Sequence, residues 1–278
     1  MFSSILEYGF IQNAFIASIL SSIACGIIGT IIIEKKLVMM SGGIAHTAFG
    51  GVGMGYFLKI EPIIGALIFS LLSSLGIAKL HRKSNTQTDI LMGLFWSVGM
   101  AAGILFIAFT PGYPPDMSSY LFGDILTVTR FDLLLMLILD SIIILLTVFL
   151  FNALVAYMFD EEFLKANGIK IWYFDYLVFA MIAVTVVLLI REVGIILILA
   201  LLTAPAAIAK LFTKDLKTIM FLSCILGMFF SIAGLWISYE IRIASGAAII
   251  MVCGISYLIA TMVLKKLKVK VKVKENKA

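Results

Sequence analysis

Residues 131–158 read FDLLLMLILDSIIILLTVFLFNALVAYM, 28 positions in which Asp132 and Asp140 are the only charges. A membrane-spanning helix needs about 20 predominantly apolar residues, so this stretch crosses a bilayer with length to spare. The same ruler, moved outward along the chain, finds comparable stretches at 11–33, 38–58, 62–80, 89–110, 172–190, 194–212, 217–238 and 246–264. Most connections between them are too short to hold another domain. Composition agrees: 62% of the residues are hydrophobic, 13% are charged and the mean hydropathy is +1.14, against about 45–50% apolar and about 25% charged in soluble domains. One water-soluble core cannot bury that much apolar surface and still wear a polar coat. A soluble fold is excluded, and the sequence predicts an all-α, polytopic helical membrane protein, a single transmembrane domain over 1–278 with eight or nine spanning helices.

Charge placement orients it. The tail 265–278 carries seven lysines against the single acid Glu275 and so contributes +6 by itself, leaving the remainder of a chain of net charge +5 near neutral; the basic balance belongs to a tail and not to a nucleic-acid-binding face. With nine spans, one set of helix ends holds 17 Lys and Arg and the opposite set holds four. Positive charge collects on the cytoplasmic side, which predicts a cytoplasmic C-terminus for a multi-pass protein expected in the plasma membrane. The short break Arg191-Glu192-Val193-Gly194 decides between nine spans and eight, and with it the side of the N-terminus. No cleavable signal peptide is expected, because the first apolar run lacks a basic start and continues past spanning length. Cys25, Cys224 and Cys253 all lie inside apolar stretches with no pair at motif spacing, so they read as packing residues.

Two connections exceed a turn. The outer one, Thr110–Asp124, holds three of the five prolines and reads as an ordered external loop where something could dock. The inner one, 159–169, is punctuated as a miniature helix: Asp160 can cap it, Glu161 and Glu162 suit its positive end, Lys165 its negative end, and Gly168 its left-handed stop. Phe163 falls inside it. A solvated loop helix and a contact site for a cytoplasmic partner both fit.

Within the second span, Met39–Gly55 contains six glycines, among them Gly42, Gly43, Gly50, Gly51 and Gly55. Each would cost about 1 kcal/mol in an ordinary helix interior, so close packing at the centre of a bundle is the expected reason. Gly51 and Gly55 form a Gly-x-x-x-Gly pair. Gly42, His46 and Gly50 share a face at spacings of four, which predicts a lone imidazole in a trough of bare backbone. An ionisable group inside a span is a functional candidate by default, and a histidine hydrogen-bonded between helices would look the same. A transition metal takes about four ligands, so one histidine per chain needs other groups, water or a second copy. Pro205, among Thr203, Ala204, Ala206 and Ala207, frees a backbone carbonyl one turn earlier and predicts a kinked, tightly packed helix, the kink serving either shape alone or a hinge on a transport path. No Gly-x-x-x-x-Gly-Lys-Ser/Thr motif and no catalytic set is present in the sequence.

Taken together, these residues resemble the permease subunit of ABC-type metal uptake transporters, the ABC-3 family, which imports zinc, manganese or iron. The motifs that carry it are the glycine-rich Ser41–Gly55 with its histidine, Tyr120-Leu-Phe-Gly-Asp124, Phe159–Gly168, Val193–Lys210 with its Pro-Ala-Ala, and Ser245-Gly246-Ala247. The resemblance implies a transport subunit and not an enzyme, with no cofactor of its own and a divalent metal ion as cargo. It implies a homodimer, cytoplasmic ATP-binding subunits that seat 159–169 as a coupling helix, and an extracellular or periplasmic metal-binding protein. It also implies that His46 lies on the metal path. Family members commonly carry an aspartate four residues before that histidine, and here the position is Gly42. The rival readings are an ATP-independent secondary transporter, which should show paired intramembrane acids and a repeat, and a membrane-embedded enzyme or assembly factor.

Overall fold

The computed structural model describes residues 8–83, 88–112, 120, 121, 123 and 125–275. They form eleven α-helices: α1 (Gly9–Glu34), α2 (Val38–Leu58), α3 (Pro62–Lys83), α4 (Thr88–Ala108), α5 (Arg130–Phe149), α6 (Phe151–Phe159), α7 (Glu161–Ala166), α8 (Ile171–Val193), α9 (Ile195–Phe212), α10 (Leu216–Ile241) and α11 (Ser245–Glu275). No strand occurs among the described residues. The nine long helices follow the nine apolar stretches in order. Seven of them are long and apolar enough to cross a membrane. Of the other two, α2 has its hydropathy diluted by glycines, and α4 has an apolar run, Met92–Ala108, just short of spanning length.

The stretch 131–158 is not one rod. It turns at Leu150, where φ is −100° and ψ is 12°, and continues as α6. Helix α5 begins on a reciprocal cap: Asp132 N–H donates to Thr129 Oγ1 at 3.3 Å, and Thr129 N–H donates to Asp132 Oδ2 at 2.9 Å. Between α8 and α9 a single residue, Gly194, makes the whole connection at φ 80° and ψ 154°, a conformation that a Cβ would strain. The Lys-Val tail continues α11 as helix to Glu275.

Helix α2 packs on α3, α4 and α8, while α1 packs on α5, α9 and α10, and α11 lies against α9 and α10. Lipid tails are as apolar as leucine, so helices associate where backbones approach closely and polar side chains meet. Between α1 and α10, Ser22 and Ser231 hydroxyls lie 3.4 Å apart, Thr30 and Ser223 hydroxyls 3.3 Å apart, and Gly26 faces Cys224. Between α2 and α3, a Cβ on Gly51 would collide with the backbone of Gly65, and one on Gly55 would sit 2.7 Å from Pro62 Cα. The expected central position of α2 holds: Met40 to Gly53 are buried without exception.

Candidate functional site

His46 sits in this buried stretch of α2, 6% exposed. Its imidazole stacks on the indole of Trp96 from α4, with ring centroids 4.0 Å apart and planes 17° from parallel. Its Nδ1 is buried with no hydrogen-bond partner among the described residues. Burying a polar atom without a hydrogen bond costs about 1–3 kcal/mol.

The bare trough expected around His46 is corrected by the structure. Gly42 and His46 do share a face with Gly50, and that face meets α4, but the volume left by Gly42 is occupied by Trp96, whose Cζ3 lies 3.2 Å from where a Cβ would stand. Small residues on one helix make room that the largest side chain of the next helix fills. Gly50 lies against the Gly99 carbonyl and Gly53 against Gly103, so α2 and α4 touch backbone to backbone below the stacked rings. Gly43 faces Met92 and Ile77 at ordinary contact distance. Nothing in the spacing of α4 signals Trp96, which only tertiary packing brings to His46.

Helix α9 runs without interruption through Pro205, which is buried. Thr203 Oγ1 donates to the Leu199 carbonyl at 2.7 Å. A Cβ on Gly29 of α1 would collide with the Leu202 carbonyl, so the close approach expected around the proline is present, with α1 as the neighbour. Asp140 is buried in α5, with the backbone of Ala24 alongside but neither carboxyl oxygen in hydrogen-bond geometry with a described residue. It does not replace the carboxylate missing at position 42: the Gly42 face of α2 meets Trp96 of α4, whereas α5 packs chiefly on α1 and α8. Among the described residues no three His, Cys, Asp or Glu side chains are grouped to hold a metal.

The miniature helix expected at 159–169 is α7. The Asp160 side chain accepts from Phe163 N–H at 3.0 Å, and the helix stops on Gly168 at φ 73°, with Ile169 N–H donating to the Leu164 carbonyl at 3.0 Å. Its two faces differ. Leu164 is buried in the body of the protein, while Glu162, Phe163 and Lys165 are exposed, as is the neighbouring Phe159. Glu161 turns back to Lys35 at 2.7 Å. In the sequence nothing marks Lys35 beyond its being one of the 17 Lys and Arg on its side of the spans.

Most of the outer loop, residues 113–119, 122 and 124, lies outside the described residues, Phe122 and Asp124 of the Tyr120–Asp124 motif included. Its described part is anchored on two elements. The Tyr120 hydroxyl is 3.1 Å from that of Tyr56 at the end of α2. Gly123, at φ 66°, abuts the Val193–Gly194 peptide between α8 and α9, leaving no room for a Cβ.

A model of the ABC 3 transport family matches residues 7–264. An uncharacterized membrane protein of Synechocystis is 43% identical over 255 residues, covering 92% of this chain and 91% of that protein. The manganese import system permease protein ScaB of Streptococcus gordonii is 32% identical over 269 residues, covering 96% of each. Among solved structures, PsaBC from Streptococcus pneumoniae in complex with Fab matches with a TM-score of 0.86 at 31% identity, covering 97% of this chain and 98% of that one. The resemblance drawn from the motifs is borne out at the level of kinship, and the chain belongs to the ABC 3 transport family.

Proposed function

We propose that this chain is the permease subunit of an ATP-binding-cassette importer of divalent transition metals, with manganese as the first cargo to test. The observation that carries this reading is kinship over nearly the full length with a manganese import permease. Zinc and iron are alternative cargoes of similar ligand chemistry. The family name favours ATP-driven transport over the ATP-independent and enzymatic alternatives.

In this reading ATP is bound and hydrolysed by separate cytoplasmic subunits that receive the exposed face of α7, and the lysine-rich C-terminus lies on the same side. An external metal-binding protein delivers the ion at the opposite face. His46 contributes an imidazole to the path, and its unpartnered Nδ1 supports that role. Among the described residues of one chain no three such donors are grouped, and a transition metal takes about four ligands, so a homodimer that contributes a second His46 fits the chemistry. The ion is cargo, and the chain needs no cofactor of its own.

The test is His46→Asn in the chain co-expressed with its ATPase subunits. Alanine would leave a void beside Trp96, whereas asparagine keeps a polar group of moderate size. Manganese uptake should fall while membrane insertion and ATPase co-purification persist. Full uptake by the well-assembled variant overturns the role of His46, and an absence of uptake of manganese, zinc and iron by the unaltered complex overturns the functional reading.

A further inference from the structure

Lys35 stands where α1 ends, and its side chain is 16% exposed. Its Nζ donates to Glu161 Oε1 at 2.7 Å and to the Tyr157 carbonyl at 3.0 Å, and it lies 4.0 Å from the centre of the Tyr157 ring. Tyr157 in turn donates its hydroxyl proton to Asp175 Oδ1 on α8 at 2.8 Å and stacks on Phe174 of the same helix. One ammonium thus gathers the first residue of α7, the end of α6 and, through Tyr157, the start of α8. The lysine end is largely shielded from water while the Glu161 side chain is 44% exposed, and charge-assisted hydrogen bonds of this kind are stronger than neutral ones.

What lies on the other side of Lys35 makes the contact more than a staple. The turn that follows is tight: Lys36 sits at φ 58°, and Leu37 N–H donates to the Ile32 carbonyl at 2.8 Å, closing the end of α1. Helix α2 begins at Val38, so His46 is eight residues, or about 12 Å, along the same rigid helix. A lysine in the left-handed region costs about 1–2 kcal/mol, since its Cβ crowds the carbonyl there, and this turn holds that conformation. Beside it, Glu34 pairs with Lys210 at the end of α9 at 2.9 Å, so the α1–α2 elbow is also tied to the proline-bearing helix.

We propose that Lys35 is a positioning residue that transmits movement of α7 to the His46-bearing helix, through its bonds to Glu161 and Tyr157 and the short elbow into α2. This rests on the reading of α7 as the ATPase contact. The inner face of α7, Glu161 and Leu164, engages the protein body, while Phe163 and Glu162 on the outer face remain for the partner. Glu161 is the point at which a push on α7 reaches Lys35.

The experiment uses the permease–ATPase complex in proteoliposomes, supplied with its external metal-binding protein and with manganese(II) as the transported probe, and measures ions moved per ATP hydrolysed. Lys35→Gln should assemble and hydrolyse ATP but move about five-fold fewer ions per ATP or worse, the scale of a lost coupling interaction. Lys35→Arg should keep most of the ratio. Lys35→Glu should lose it, and the swapped pair Lys35→Glu with Glu161→Lys should recover part. An unchanged ratio in Lys35→Gln, or a swap no better than Lys35→Glu alone, overturns the proposal. So does a Lys35→Gln chain that fails to assemble, because it would assign Lys35 a structural role. The two readings separate on Phe163→Ala: if that variant keeps its ATPase bound, the assignment of α7 fails, whatever the result at Lys35.

Discussion

Alanine at Gly50 and alanine at Gly43 are the same chemical change in the same helix, and the structure assigns them opposite outcomes. A Cβ at Gly50 lands 2.7 Å from the Gly99 carbonyl oxygen on α4, and backbone cannot swing aside as a side chain can. To restore contact distance, α2 and α4 must part by roughly 0.5–1 Å, a gap that forfeits a quarter to a half of the dispersion attraction of each facing atom pair. The loss spreads to Gly53 against Gly103 and to Thr47 against Gly99 on the same face. Gly50→Ala should therefore cost about 1–3 kcal/mol, the range for overpacked cores, and loosen the stack of His46 on Trp96. A Cβ at Gly43 meets only Met92 Sδ at 3.6 Å and Ile77 Cδ1 at 3.8 Å. Alanine is the better helix former by about 1 kcal/mol in water, and because the helix persists in the membrane-embedded unfolded state, only part of that gain survives. Gly43→Ala should be neutral to slightly stabilising. The assay is the thermal midpoint of the detergent-solubilised protein, read as loss of the monodisperse peak on size exclusion. Gly50→Ala as stable as the unaltered protein, or Gly43→Ala as damaging as Gly50→Ala, refutes the backbone-contact argument.

Other expectations follow from the same geometry. A reporter fused after Lys265 should be cytoplasmic, and a cysteine replacing Ser118 should react with an impermeant external reagent; the reverse pattern overturns the orientation. Gly168→Leu forces a side chain into the left-handed region at φ 73°, costing about 1–2 kcal/mol at the end of α7, and should weaken ATPase co-purification and uptake together; unchanged association counts against the coupling role. Asp215 caps α10, where the Thr218 hydroxyl at 2.6 Å and the Thr218 N–H at 2.9 Å hold its carboxyl below the usual carboxylate range. Because its folded value is lowered, its stabilisation is complete above the ordinary aspartate range and is lost as pH falls through the lowered value. The thermal midpoints of the unaltered protein and Asp215→Ala should therefore converge on acidification, and a gap that stays constant with pH would speak against the ionised cap.

Much is legible in the sequence because it depends on local chemistry. Apolar runs of spanning length dictate helices in lipid, where every backbone amide must be satisfied within its own segment. The boundaries of α7 were readable because caps act within four residues: Asp160 reaches Phe163 N–H, and Gly168 alone takes the positive φ. The glycines of α2 announced close packing, though not which helix each would touch. Contacts between distant residues are another matter. Whether the volume beside Gly42 stays open or receives Trp96, 54 positions away, depends on how α4 lies against α2. The bond between Lys35 and Glu161 spans 126 positions, and no periodicity encodes it. Side-chain pattern specifies which face of a helix seeks a neighbour, but which neighbour arrives, and which atoms then meet, is settled only when all the helices compete for the same interior volume, and that competition is what placed an indole on His46 and an ammonium between two helices.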